Sequence, residues 1–169
     1  PANGAPITVP SQDMVLVLYY MTKERLSTPE KTILGEGITF YSAEEVNIAL
    51  NEGRLELNAS VKIRAKNFNE AGDLVYQIIK TTAGRVLFNE VVPEAAGYIN
   101  DVLTKKNLRD IIGHVLSSTD VPTTAAFLDN MKDMGYKFAF KGGLSFSLGD
   151  IRIPDQNPKL IADAREQGQ

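Results

Sequence analysis

Two kinds of hydrophobic pattern divide this chain into predicted strands and helices. The longest alternation runs over 55–66, where an apolar residue occupies every second position. A period of two over this length predicts a strand with one packed face and one face in water. A turn over 67–73 and a second run rich in valine, isoleucine and tyrosine, 74–81, complete a long antiparallel hairpin. Such a hairpin needs an apolar partner to be stable.

Apolar residues at helical spacing predict helices on both sides of this hairpin. Segment 14–21 is apolar all round and follows Ser11, which predicts burial on every side as a short, capped helix or as a central strand. Helix is favoured, because leucine and methionine outnumber β-branched residues there. Ser42 and Glu45 have capping-box spacing at the start of a second helix, which Gly53 ends. Three further helices are predicted to begin at Thr82, Thr104 and either Thr119 or Asp120.

These elements predict an α+β fold in which several helices pack around a long antiparallel β-hairpin. With 169 residues the chain is long enough to bury a core. We expect the domain to occupy 1–153. Residues 154–169 begin another helix, with Asn157 as its cap and Pro158 in its first turn, which stops short of a stable length. This favours a piece of a longer protein, and a mobile tail is the alternative.

The composition excludes several classes of function. A net charge of -3 with 23% charged residues lacks the basic balance of a free-standing DNA-binding module. The absence of cysteine excludes disulfides, thiolate zinc sites and cysteine nucleophiles. The longest apolar run, 14–21, is too short to span a bilayer, so no membrane partner is expected.

The titratable residues predict no catalytic, metal or cofactor site. His114 is the single histidine, and no serine elbow or second metal ligand accompanies it. A structural or solvent-exposed role is therefore the favoured interpretation. The carboxylates Glu44 and Glu45 fit a helix start, and Asp150 fits a turn.

Two segments leave phosphate binding open as an alternative. Arg85 stands at a predicted helix start, and Lys105 and Lys106 stand in the first turn of another. The glycine spacing of a P-loop is absent, so a structural Arg85 and a solvated lysine pair are favoured. A small phosphate-handling enzyme that uses Arg85 and Lys105 remains a hypothesis. Gly143 is most simply a helix breaker, although glycine also permits close approach of a backbone.

Four motifs in order resemble the largest subunit of multisubunit RNA polymerases, in particular the bacterial beta-prime family. The resemblance covers nearly the whole chain, and four ordered motifs are far more specific than any one of them. The motifs are Val9-Pro10-Ser11-Gln12-Asp13-Met14-Val15-Leu16 continued by Leu18-Tyr19-Tyr20-Met21-Thr22; Thr81-Thr82-Ala83-Gly84-Arg85-Val86-Leu87-Phe88-Asn89-Glu90; Thr104-Lys105-Lys106; and Gly143-Leu144-Ser145-Phe146-Ser147-Leu148-Gly149-Asp150.

The resemblance implies a cytoplasmic bacterial protein that builds the pore domain beside the secondary channel. In the family, nucleoside triphosphates enter there, and the RNA 3′ end is extruded there during backtracking. The family's Mg²⁺-binding aspartate loop would precede residue 1, and 154–169 would lead into the channel rim. The isolated chain is thus expected to be inactive. Its implied partners are the rest of beta-prime, the other subunits, template DNA, RNA and nucleotides.

The residues expected to face the channel or active centre are Gln12, Asp13, Arg85, Gly143 and Ser145. For Gln12 and Asp13, a simple role at the capped helix start is an equal alternative. One departure from the family stands at Val17, where glycine is usual, and it requires a neighbour that leaves room for the side chain. The competing hypothesis is a free-standing protein-interaction domain of shared ancestry. The parent gene would distinguish the two, because only a polymerase gene encodes the aspartate loop just upstream.

Overall fold

A computed structural model describes residues 11–140 of the chain, and these form an α+β domain. The helices are α1 Gln12–Thr22, α2 Ala43–Asn51, α3 Ala83–Asn89, α4 Lys105–Ser118 and α5 Val121–Phe140. The strands are β1 Thr39–Phe40, β2 Ser60–Phe68 and β3 Leu74–Thr82, and a 3₁₀ turn spans Glu94–Ala96.

The sheet confirms the predicted hairpin and adds a third strand. β2 and β3 pair antiparallel from Ser60 opposite Thr82 to Phe68 opposite Leu74. β1 lies parallel to β2 on the other side, which gives the order β1-β2-β3. The sequence did not predict β1, because two residues are too short to show a period.

The predicted start of the first hairpin strand was wrong. Leu55, Leu57 and Ala59 are buried as the alternation requires, but they lie before β2. The backbone around these residues makes hydrogen bonds to several different segments and does not pair with a single strand. The amide of Glu56 donates to the carbonyl of Leu34 at 3.0 Å, and the amide of Gly84 donates to that of Leu57 at 2.8 Å. Burial therefore alternates over 55–59 although no β-ladder forms there.

The core lies between the inner face of the hairpin and the helices. Val61 and Ile63 of β2 are buried in the same cluster as α1, α3, α4 and α5. The rings of Phe88 on α3 and Phe127 on α5 meet edge to face, with centroids 6.1 Å apart. The predicted burial of α1 is confirmed from Leu16 onwards, apart from the partly exposed Tyr19. The apolar residues of α4 and α5, which recur at helical spacing, also face this core.

The side chains of the predicted residues cap the N-termini of the helices. The hydroxyl of Ser11 accepts from the amide of Met14 at 3.1 Å, and the Asp120 carboxylate accepts from that of Thr123 at 2.8 Å. The Ser42 hydroxyl accepts from the Glu45 amide at 3.1 Å, as a capping box requires. The Glu45 carboxylate, however, accepts from the amide of Tyr41 at 2.8 Å and not from that of Ser42. The second hydrogen bond of the capping box therefore uses the amide one residue before the predicted one.

α3 begins in close contact with the end of α1. A β-carbon added at Gly84 would overlap the carbonyl oxygen of Met21 and lie 2.9 Å from its carbonyl carbon. Both atoms belong to the backbone, so no side chain can move aside. Within residues 11–140, no helix is long and apolar enough to cross a membrane.

Candidate functional site

Arg85, for which the sequence favoured a structural role and left phosphate binding as an alternative, joins α3 to α1. Its Nε donates to the carbonyl oxygen of Thr22 at 2.9 Å, which is the last residue of α1. A helix end leaves its final carbonyls without helical partners, so this bond supplies one of them. One guanidinium nitrogen also lies 3.3 Å from the side-chain oxygen of Asn100. This use of Arg85 supports the structural interpretation.

Around Arg85 a chain of polar side chains links β3 to the segment before α4. The hydroxyl of Tyr98 donates to that of Thr81 at 3.1 Å, and Thr81 donates to the side-chain oxygen of Asn100 at 2.7 Å. The amide nitrogen of Asn100 donates in turn to the carbonyl of Lys80 at 2.7 Å. Each group therefore holds a neighbour in place.

Thr22 closes the network from the α1 side. Its side chain is fully buried, and its hydroxyl donates to the carbonyl of Leu18 at 2.8 Å. The same oxygen accepts from the amide of Leu103, also at 2.8 Å. A single hydroxyl thus supplies the acceptor for the buried Leu103 amide, which would cost free energy if left unpaired.

Two asparagines that the sequence did not predict as important hold backbone segments together. Asn89 donates to the carbonyls of Arg85 and Ile99, both at 2.7 Å, and accepts from the Ile99 amide at 2.8 Å. Asn58 donates to the carbonyls of Tyr20 and Lys23 at 2.8 and 2.7 Å, near the end of α1. An asparagine directly after the apolar run 86–88 was the available signal for Asn89.

This arrangement fixes the backbone through hydrogen bonds between side chains and carbonyls. Within the described residues, no carboxylate lies within salt-bridge distance of Arg85. No group of three or more His, Cys, Asp or Glu side chains there could hold a metal ion. The polar side chains bond to one another and to backbone groups, which suits a rigid support.

Burial of Tyr98 predicts a loss of stability in alkali. Burial raises the pKa of its hydroxyl from 10.0 to about 12, although Thr81 and the charge of Arg85 act in the opposite direction. The pKa of Tyr98 is higher in the folded chain than in the unfolded chain. Its contribution to the free energy of unfolding is therefore complete below pH 10 and is lost as the pH rises towards about 12. Unfolding measured between pH 9 and 12 is expected to show this decline, and Tyr98→Phe is expected to flatten it. An unchanged slope in Tyr98→Phe would contradict the assignment.

Gln12 and Asp13 occupy the first turn of α1, at the opposite end from Arg85. Gln12 is exposed and Asp13 half-buried. Ten residues of helical rise place the two ends roughly 15 Å apart. The structure therefore does not gather Gln12, Asp13 and Arg85 around one point. Gly143 and Ser145 lie outside the described residues.

The remaining charged candidates have structural or solvent-exposed roles. His114 lies at the surface of α4, and its Nε2 donates to the carbonyl of Ala96 at 2.8 Å. Lys106 pairs with Asp110 one turn later at 2.9 Å, while Lys105 is exposed beside it. Both observations agree with the interpretations favoured from the sequence.

Val17 fits because a glycine faces it. A β-carbon added at Gly135 of α5 would lie 3.8 Å from a methyl carbon of Val17 and would overlap the sulfur of Met14. An alanine at 135 would be in ordinary van der Waals contact with Val17, and only the flexible end of the Met14 side chain would have to move. Val17 therefore has room for its side chain beside Gly135.

Comparison with known proteins places the whole chain in one family. Residues 1–151 match the family model described as RNA polymerase Rpb1, domain 3. The chain is 87% identical over 167 residues to DNA-directed RNA polymerase subunit beta' of Flavobacterium johnsoniae, covering 99% of the chain and 12% of that protein. The corresponding subunits of Karelsulcia muelleri and Bacteroides fragilis are 58% and 53% identical, each over 99% of the chain and 11% of the relative.

These matches confirm the resemblance that the four motifs carried. The chain spans about an eighth of the length of the curated relatives it matches. The chain therefore belongs to the RNA polymerase Rpb1 domain 3 family, and over its length it is similar to the beta' subunit of bacterial DNA-directed RNA polymerase.

Proposed function

We propose that the chain is a structural part of a bacterial DNA-directed RNA polymerase. It lines the secondary channel, through which nucleotides enter and the RNA 3′ end is extruded, and the Mg²⁺-binding aspartates lie elsewhere. The observation that carries this proposal is the 87% identity to a beta' subunit over 99% of the chain.

The described side chains support a structural role. Arg85, Asn58 and Asn89 all bond to carbonyls of other segments, which holds the helix ends in a fixed arrangement. A channel wall requires such rigidity and no reacting group of its own. We therefore expect the isolated chain to show no template-directed RNA synthesis with Mg²⁺ and nucleotides. Robust synthesis would contradict the placement of the catalytic aspartates outside it.

In this proposal residues 1–153 form the pore domain, and 154–169 start the helix towards the channel rim. The partners are the rest of beta-prime and the other subunits in the bacterial cytoplasm, with DNA, RNA and nucleotides bound by the complete enzyme. Gln12, Asp13, Arg85, Gly143 and Ser145 remain the candidate residues on the channel side. The described bonds of Arg85 are internal to the domain.

Crosslinking in the assembled polymerase tests the channel assignment. A photo-reactive amino acid replaces Gln12, which is exposed at the start of α1, and the enzyme is backtracked on RNA labelled at its 3′ end. We expect the extruded RNA to crosslink at this position, because the channel receives the 3′ end.

Ile48 provides the matched control, since it is exposed on α2, which packs against α3 and β1. RNA crosslinking is expected to be much weaker there. Equal yields at the two positions, or none at Gln12 in a backtracked enzyme, would refute the proposed orientation of α1 towards the channel.

A further inference from the structure

The outward face of the hairpin, here called the outer face, concentrates positive charge on a chain whose net charge is -3. Alternate residues of β2 and β3 point to this side, because their neighbours Val61 and Ile63 are buried on the other. The outer face consists of Lys62, Arg64 and Lys66 on β2 and Tyr76, Ile78 and Lys80 on β3.

The cations of the outer face have few acidic neighbours in the domain. Lys66 lies 3.3 Å from Glu94. Across 11–140, no carboxylate stands within salt-bridge distance of Lys62, Arg64 or Lys80. Lys62 is directly opposite Lys80 in the register, and like charges facing each other across a sheet are unfavourable. An acidic partner would remove that repulsion.

Apolar side chains lie between these charges. Ile78 is 53% exposed directly opposite Arg64, and Tyr76 is 54% exposed opposite Lys66. The guanidinium of Arg64 stacks on Tyr76 with its carbon 3.7 Å from the ring centroid. An apolar centre with arginine and tyrosine, surrounded by charge, is the composition of a protein interface.

The same geometry favours protein over nucleic acid as the occupant. Bases bind aromatic residues by stacking on the ring face, and both Arg64 and Lys66 already lie over the Tyr76 ring. Phosphates would engage the lysines but would leave Ile78 in water. A protein segment with acidic and apolar residues satisfies both kinds of side chain.

We propose that the outer face of the hairpin docks an acidic, partly apolar segment of the same longer polypeptide, outside this chain. This inference rests on the proposed function, because it requires a longer beta-prime chain. The relatives leave ample length for it, since the matched region is 12% of the Flavobacterium johnsoniae subunit. Charge complementarity and burial of Ile78 would hold the segment.

The test uses the assembled polymerase with a photo-reactive amino acid in place of Ile78. Mass spectrometry of the crosslinked product is expected to identify an acidic peptide of beta-prime from outside this chain. A photo-reactive residue at Ile48, 46% exposed on α2, is the control and is expected not to yield that peptide. A crosslink to nucleic acid, to another subunit or to nothing would overturn the proposal.

A charge-reversal variant tests the electrostatic part. Lys62→Glu combined with Lys80→Glu is expected to lower the Ile78 crosslink to that peptide at least about tenfold, since like charges then meet across the interface. An unchanged yield would overturn the role of charge. Peptide crosslinking at Ile78 is measured separately from RNA crosslinking at Gln12. The docking inference can therefore fail while the channel assignment holds, and the channel assignment can fail while the docking inference holds.

Discussion

Gly84→Ala is expected to lower the free energy of unfolding of the chain by about 3 kcal/mol, the upper part of the range for overpacked cores. The added β-carbon would overlap the Met21 carbonyl oxygen, so α3 must move away from the end of α1. That movement also loosens the bond from the Gly84 amide to the Leu57 carbonyl, which is 2.8 Å long. For a chain of this size the midpoint of thermal unfolding should fall by about 10 °C.

Gly113→Ala is the matched control for this substitution. Gly113 lies inside α4, is exposed, and has nothing within 4 Å of an added β-carbon. Alanine is the better helix former by about 1 kcal/mol, so this variant should be slightly more stable. If both variants unfold at the same temperature, the close contact between α3 and α1 does not exist in solution.

Asn89→Ala is expected to cost about 2–3 kcal/mol, because it leaves the buried Ile99 amide without its acceptor and removes two donated bonds. The Ile99 segment leads directly into Asn100, so Arg85 would lose part of its support as well. Amide hydrogen exchange measured by NMR should show reduced protection at Ile99, alongside the lower stability.

Asn130→Ala serves as the control, because Asn130 is exposed on α5 and should change stability by less than about 0.5 kcal/mol. Full protection of the Ile99 amide in Asn89→Ala would show that another group accepts its hydrogen bond. The three bonds of Asn89 would then not be what holds this segment.

The hairpin and the helix starts were predictable because their signals are local. Alternating burial follows from the pleat, and the hydroxyls of Ser11, Ser42 and Thr104 lie next to the amides they cap. The true start of β2 was not predictable. Leu55 and Leu57 have the same alternation as a strand, and only the distant partners of this segment show that no ladder forms there. The Glu56 amide bonds to Leu34, and the Leu57 carbonyl bonds to Gly84.

In the candidate site, too, local signals could be predicted from the sequence and distant contacts could not. The structural role of Arg85 was favoured from the absence of a phosphate loop, but its partners could not be named. Thr22 and Asn100 are 63 and 15 residues away from it along the chain. No local pattern reports such contacts. The family, in contrast, was identifiable from ordered motifs, and the comparisons confirmed it over the whole chain.

The contact between α1 and α5 has a consequence for sequence evolution. Val17, Met14 and Gly135 share one small volume, so the effect of a substitution at any of them depends on the other two. Alanine at 135 would keep ordinary contact with Val17 but would displace the end of the Met14 side chain, so it is tolerated best where position 14 carries a smaller residue. Lineages of this family should therefore tend to change positions 14 and 135 together, and a reconstructed ancestor that combines methionine at 14 with alanine at 135 should repack the methionine side chain.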